Sequence, residues 1–571
     1  MADGERRTAD NPLDKLDPLQ TTVNQHFHTL AAALESVQSA FRALHSELSP
    51  FMPLRSPIVA AISLISLTGC AGRATTSPTV SATASTASPY LSTGRWVRIL
   101  ATNDFHGAFE PRRDSRGVAR GGAATLAAEI ARARAECRPP ACTTLLLDGG
   151  DEFQGTPASN MGYGRPVVTL FNRLGRAASA LGNHEFDWGQ DTLRARMREA
   201  SYPILGANVT DAAGNDVAWI RDTATVVTGG VRVGIIGIAT VSTPTSTRPS
   251  NVSDLRFVDP VPVVNRYAKA LRDRGAQMVV VVAHAGAFCP TGPAPSCDGE
   301  IIDLARGITQ RVDAIVSGHT HSPVSTVVNG IPIVQARSHG SALGVMDVSL
   351  SGAAPVIALR DVLPDQIAPD PGVDSLVRAV TAPLQAIVNR PIAQVSDPMS
   401  GLVLGNFMAD AYRAAAGGDV GVMNRGGVRS SLDSGTVTYG ELFEIAPFGN
   451  MLVRLTLSGA GMRAWLEKAL GQPQLRAHLS GIVVTYDSTR APGSRIISAI
   501  TSDGQPLADS RIYKFIYSDF LHANGDGLQA TEGVQRVEEL GIVDIDALTD
   551  WVKKSSPVRA PRDARVIIRT P

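Results

Sequence analysis

The sequence predicts an α/β domain followed by a smaller α+β unit. Three observations lead there. Between Trp96 and about Val362 short apolar runs recur as VRILAT, TTLLLD, AASALG, VRVGIIGI, QMVVVVAH and DAIVSG, and continuous Val/Ile/Leu runs of this length suit strands buried on both faces. Amphipathic stretches such as GGAATLAAEIARARAE lie between several of them, the strand–helix alternation that builds such a sheet. After a proline-bounded stretch and helix at about 364–390, read as an interdomain connector, the helix patterns LGNFMADAYRAAA and GAGMRAWLEKAL and the strand pattern KFIYSDF form a separate group. These limits predict domains over 95–363 and 391–571.

The chain ahead of the first strand carries an address. Residues 52–70, MPLRSPIVAAISLISLTGC, hold one arginine, a short apolar run and Leu67-Thr68-Gly69-Cys70. The run is shorter than the ~20 residues that span a bilayer and reads as an export signal. Its ending resembles the lipobox of bacterial lipoproteins, which implies lipidation of Cys70 and a periplasmic or cell-surface protein. Residues 71–94, rich in Ser, Thr, Ala and Pro, cannot bury a core and read as a flexible linker. An export signal belongs at the N-terminus, so Met52 is read as the start and 1–51 as an extension ahead of it. Val23, Phe27, Leu30, Leu34, Val37, Phe41, Leu44 and Leu48 nonetheless make a heptad-like stripe, which fits a helical arm starting from Met1.

Lysine plus arginine balance aspartate plus glutamate at 53 each among 571 residues. Zero formal charge gives no reason to expect a nucleic acid polymer or an anionic membrane surface as partner. Beyond Cys70 the cysteines form two close pairs, Cys137/Cys142 and Cys289/Cys297, without the C-x-x-C spacing of a zinc or redox site. Export would make each pair a local disulfide, the alternative being free buried thiols.

The chemistry lies at the strand ends. RILATNDFHG delivers Asp104 and His106, LLLDGGDEFQG delivers Asp151, ALGNHEFD delivers Asn183 and His184, VVVVAHAGA delivers His284, and AIVSGHTH delivers His319 and His321. In an open α/β sheet the crevice beyond the carboxyl ends of the strands is where sites form, so residues distant in sequence can converge there. Each piece alone reads as a surface turn or a core histidine. Together, five strand ends supplying Asp, Asn or His are the donor set of a metal centre.

D-x-H, G-G-D, G-N-H-E, a later single His and G-H-x-H, in this order, resemble the calcineurin-like metallophosphoesterases over about 95–362. NRGGVR at 424–429, PFGN at 447–450 and DFLHANGDG at 519–527 resemble the C-terminal domain of the 5′-nucleotidase family, which includes periplasmic UDP-sugar hydrolases. The resemblance implies a four-layer α/β/β/α first domain and a cleft site between the domains. It also implies two divalent cations, Zn²⁺, Mn²⁺ or similar. Asp104, His106, Asp151 and His321 would hold one, and Asp151, Asn183, His284 and His319 the other, with Asp151 as the bridge. Such a pair clamps the oxygens of an in-line phosphoryl displacement and lowers the pKa of the attacking water. His184 would stabilise charge on the phosphate, with Asp187 keeping its imidazole oriented and cationic; Glu185 would make a structural hydrogen bond. Phe448 and Phe520 would sandwich a nucleobase, Asp526 would accept from the ribose, and Asn424 and Arg429 would reach the base or phosphate. Domain rotation about the connector would carry substrate to the metals.

Two departures stand out. Related enzymes carry an arginine for phosphate shortly before the LGN helix, whereas SDPMSGLVLGNFMAD has none before Arg413. The family's G-G-D is Asn524-Gly525-Asp526 here, and Asn tolerates positive φ, so the turn is expected to survive. The implied activity is release of phosphate from nucleoside 5′-monophosphates and related nucleotides, outside the cytoplasm. The alternatives are a 2′,3′-cyclic nucleotide phosphodiesterase or UDP-sugar hydrolase and, in a different class, a non-catalytic nucleotide-binding lipoprotein. A thiosulfohydrolase would share the fold, but Phe448 and Phe520 argue against a small inorganic substrate. Oligomeric state is left open.

Overall fold

The computed structural model describes residues 95–114, 117–290, 296–471 and 477–569. The lipidation expected at Cys70, the export segment, the linker and the stripe over 23–48 lie outside the described residues. Among the described residues no helix is long and apolar enough to cross a membrane.

Two six-stranded sheets build the first part. One runs in the order Val356–Asp361, Ala342–Ser349, Trp96–Thr102, Cys142–Asp148, Ala178–Ala180, Ile204–Leu205. The other runs Val324–Val328, Ile331–Gln335, Ala314–Ser317, Met278–Ala283, Val231–Ile238, Thr223–Thr228. The middle strands of each are parallel. Antiparallel pairs close the two edges of the second sheet and the Val356–Asp361 side of the first. Val97, Ile99, Leu145 and Leu147 of the first sheet meet Val233, Ile235, Val280 and Val282 of the second in one buried core. The alternate residues of the second sheet, Ile236, Val279 and Val281, pack on Val264, Leu271, Ile301 and Leu304 of the helices Pro260–Asp273 and Glu300–Gly307. Helix Ala123–Glu136 covers the first sheet, where Arg98 pairs with Glu136 and Asp347. Strands so enclosed must be apolar on both faces, which is why they read as continuous runs. The result is the α/β/β/α layering, with the parallel strands' carboxyl ends opening on one edge.

Both cysteine pairs are disulfide-bonded, Cys137–Cys142 and Cys289–Cys297. The connector differs from expectation. A helix over about 372–388 is interrupted: Pro371–Thr381 is helical, 382–384 is a tighter turn, and Gln385–Val388 is a last short helix. Pro383 lacks an N–H to donate and cannot continue the ladder. The first helix starts where Asp370 caps it, accepting from Val373 N at 2.8 Å.

The C-terminal part holds a five-stranded sheet in the order Ala477–Ser480, Val420–Asn424, Ile512–Ser518, Met451–Ser458, Val534–Val543. Strand Ile512–Ser518 shows how the sheet is covered on both faces. Tyr513, Phe515 and Tyr517 enter a core with Trp465 and Leu466 of helix Gly459–Leu470, whereas Ile516 enters one with Phe407 and Met408 of helix Gly401–Ala415 and Leu548 of Asp544–Lys554.

Asp544 opens that last helix almost fully buried, at 1% exposure. Burial pushes its carboxyl up to about 7, with Asp519 adding to the effect. An unfolded aspartate ionises at ~3.9. Between these values the folded chain holds a proton that the unfolded chain has released, so stability falls as pH rises through the window and the cost is complete above 7. Asp544→Asn, which retains an oxygen to accept from Ile545 N, is expected to raise Tm by about 2–4 °C at pH 8 and to leave it unchanged near pH 4, read by thermal melts at both pH values.

Candidate functional site

Every metal-type residue singled out in the sequence follows a strand whose end opens on the same edge. Their donor atoms form two groups, Asp104, His106 and His321 in one and Asp151, His284 and His319 in the other, each within 4.8 Å. Asp151 lies between them: its Oδ2 is 3.1 Å from His284 Nε2 and 3.9 Å from His106 Nε2. Asn183 joins the second group, its Oδ1 lying 3.0 Å from His284 Nε2. The amide is aimed because its Nδ2 donates to Ser246 O at 2.8 Å.

The imidazoles are aimed the same way. His106 Nδ1 donates to Gln154 O at 2.6 Å and His284 Nδ1 to Gly149 O at 2.8 Å, which turns both Nε2 atoms inward, where the neutral ring would offer its electron pair to a cation. His106 Nε2 faces His321 Nε2 at 3.1 Å, and His319 Nδ1 faces His284 Nε2 at 3.2 Å. Asp104, His106, Asp151, His319 and His321 all have positive φ, a conformation that costs energy in non-glycine residues and clusters at functional sites. Gly182 is required by close approach, since a Cβ there would sit 2.2 Å from Asp151 Oδ1.

The charges are strongly coupled. Burial opposes ionisation of Asp151, yet His284 and His184 hold its carboxyl well below the usual range. Burial likewise opposes charge on His284, but Asp151 outweighs it and pushes the imidazole up to about 10. His319 is pushed down to about 3 by burial and then by His284. Converging carboxylates, an amide oxygen and ring nitrogens at such spacing are a hard-to-borderline donor set that fits two divalent cations.

His184 and Asp187 stand beside this cluster. His184 Nδ1 lies 2.7 Å from Asp187 Oδ2, which turns the other ring nitrogen toward Asp151 Oδ2 at 4.0 Å. Glu185 points away from the cavity. Its buried carboxylate accepts from the backbone N–H groups of Asp151, Glu152 and Gly182 at 2.8–3.0 Å, tying together the two loops that carry Asp151 and Asn183.

A cavity of about 420 Å³ opens from this cluster and is walled by both parts of the chain. Asp151, Asn183, His184, Asp187, His319 and His321 line one side; Asn424, Arg429, Phe448, Phe520 and Asp526 line the other. The Phe448 ring stacks on His184, centroids 5.5 Å apart and planes at 26°. Asn424 donates to Asp526 at 2.8 Å. Asn524 adopts φ 74°, ψ 20°, so the turn expected to survive without glycine does so. Arg429 reaches furthest, its Nη2 lying 3.1 Å from His106 Nε2. Its guanidinium is half-buried; desolvation pulls its pKa down against the pull of Asp151, Asp187 and Asp104, and among the described residues it forms no salt bridge.

Arg413 does not replace the missing arginine; it donates to Ser480 Oγ at 2.7 Å, away from this cavity. The second arginine lining the cavity is Arg248, held at 3.5 Å from Asp519. Sequence reasoning missed it, together with its neighbours Ser242, Thr245, Ser246 and Thr247. It also missed His339, whose ring lies 5.5 Å from that of His106 and 5.6 Å from that of His321. IPIVQARSHG repeats the strand-then-His-Gly pattern and was the available signal.

Comparisons with known proteins agree with this geometry. The calcineurin-like phosphoesterase family matches residues 97–323, and the 5′-nucleotidase C-terminal domain family matches residues 383–533. A snake venom 5′-nucleotidase from Gloydius brevicauda is 30% identical over 538 residues, covering 82% of this chain and 88% of that protein. The crystal structure of a 5′-nucleotidase precursor from Thermus thermophilus superposes with a TM-score of 0.74 at 28% identity, covering 83% of this chain and 99% of that one. A sulfate thiohydrolase from Thermus thermophilus shares the fold at 19% identity and a TM-score of 0.71, over 83% of this chain and 97% of its own. The chain therefore belongs to the 5′-nucleotidase family of metal-dependent phosphoesterases, with a calcineurin-like domain followed by the 5′-nucleotidase C-terminal domain.

Proposed function

We propose that this protein is a two-metal hydrolase that releases phosphate from nucleoside 5′-monophosphates and related nucleotides outside the cytoplasm, anchored there by lipid on Cys70. The observation that carries the reading is Arg429, a half-buried cation that forms no salt bridge among the described residues, set 3.1 Å from His106 at the seam between the candidate metal groups and the second wall. Such a group suits an anion held against the metals, and a planar guanidinium grips phosphate oxygens in pairs.

The residues divide the work. Asp104, His106, Asp151 and His321 would hold one cation, and Asp151, Asn183, His284 and His319 the other, Zn²⁺ or Mn²⁺ by their mixed N and O donors. A divalent pair bound there supplies Lewis acidity toward phosphoryl oxygens and a water of lowered pKa. His184, aimed by Asp187, donates to a phosphate oxygen as negative charge grows on it. Arg429 orients the phosphate. Phe448 and Phe520 grip the base by its faces, which every nucleobase presents, and Asp526 accepts from the ribose. The Phe448–His184 stack puts one of these rings directly against the catalytic histidine.

Incubation with AMP, 2′,3′-cyclic AMP, UDP-glucose and ATP tests this. AMP is expected to yield adenosine and phosphate, with activity lost to chelator and restored by Mn²⁺ or Zn²⁺. Turnover of only the cyclic nucleotide or only UDP-glucose would redirect the assignment within the family, and a protein that takes up neither Mn²⁺ nor Zn²⁺ and turns over none of the four would overturn it.

A further inference from the structure

The strand Val231–Ile238 ends on the same edge as the ligand-bearing strands but delivers no metal-type residue. It delivers ATVSTPTSTRPSN, a hydroxyl-rich run at 239–251 whose turn over 243–246 forms a wall of the cavity. Thr247 is 1% exposed and donates from Oγ1 to Asp187 Oδ1 at 2.7 Å. The other oxygen of the same carboxylate, Oδ2, is the one that meets His184 Nδ1 at 2.7 Å. Asn251, four residues on, donates from Nδ2 to the carbonyl oxygens of Phe186 at 2.8 Å and Asp187 at 3.1 Å.

A carboxylate plane rotates about a soft terminal torsion with a broad, roughly two-fold profile. One hydrogen bond to the imidazole does not fix that plane; a second, on the opposite oxygen, does. We propose that Thr247 is a positioning residue for the reaction, extending the His184–Asp187 pair to a three-member chain in which the Thr247 hydroxyl locks Asp187 so that His184 stays aimed at the phosphate. The inference rests on the role proposed above for His184.

The test compares Thr247→Val, which keeps the shape and loses the donor, with Thr247→Ser, which keeps the donor. With AMP as substrate, Thr247→Val is expected to lower kcat about 10-fold, with KM within about twofold of the parent, two metals per chain by elemental analysis and an unchanged melting temperature. Thr247→Ser is expected to restore most of the rate. In a His184→Ala background, Thr247→Val is expected to cost no further activity, because both changes act through one group. An independent readout needs no substrate: in 15N-edited NMR, exchange of the His184 Nδ1 proton with water should quicken in Thr247→Val and not in Thr247→Ser. If Thr247→Ser loses as much as Thr247→Val, or the losses multiply in the His184→Ala background, or proton exchange is unaltered, the proposal falls. A parent protein inactive on every nucleotide overturns the proposed function instead, and the NMR result then still decides the Thr247–Asp187–His184 chain.

Discussion

Asp151→Asn is expected to empty at least one metal position and to lower phosphate release from AMP by about 10⁴-fold or more, the largest effect of any single substitution at this site. Asp151 lies in reach of both donor groups, with Oδ2 3.1 Å from His284 Nε2 and 3.9 Å from His106 Nε2. Two divalent cations repel each other, and a shared carboxylate offsets that repulsion through a negative charge that an amide does not have. The substitution also leaves His284 without the anion that outweighs its burial. The fold should survive: an amide oxygen can still accept from His184 N, as Asp151 Oδ1 does at 2.9 Å. Elemental analysis of the purified variant beside kcat separates the outcomes. Full metal occupancy with near-parental turnover would refute the bridge.

His184→Ala is expected to lower kcat by about 10²–10³-fold, the usual cost of removing a preorganised donor that acts on developing charge. Metal content should stay at the parental level, since His184 Nε2 stands 4.0 Å from Asp151 Oδ2 and belongs to neither donor group. KM should change less than kcat, because the interaction is strongest in the transition state. One confounding effect is visible in advance. The His184 ring also carries Phe448 at 5.5 Å, so alanine loosens that wall as well. His184→Phe keeps the stack and removes the donor, and it should lose kcat to the same extent. Equal losses of metal and turnover in either variant would refute the assignment.

What the sequence disclosed and what it hid follow from one difference. Asp104, His106, Asp151, Asn183, His284, His319 and His321 were legible because each follows an apolar run, and a run's end says where its residue sits in a parallel sheet. Asn524 was legible because positive φ restricts side-chain choice, and the structure gives it φ 74°. The break at Pro383 was written in the chain and overlooked in favour of helical spacing. Thr247 and Arg248 are a different matter. Hydroxyls and arginines occur on every surface, and nothing local in VSTPTSTRPS marks which of them faces a cavity; that depends on where the Val231–Ile238 strand ends relative to the loop at 183–187. Glu185 lay between: its place in G-N-H-E drew attention, but its task, holding three backbone N–H groups from two loops, emerges only once those loops stand side by side.

The Arg429–His106 contact reaches past enzymology into heredity. On the proposed reading, a guanidinium from residue 429 completes a pocket begun at residue 104, so a chain ending before residue 391 would keep the candidate metal ligands and lack that contact. Drift in the rings that grip the base can alter what is bound without touching the ligands for metal, provided the lent arginine travels with them.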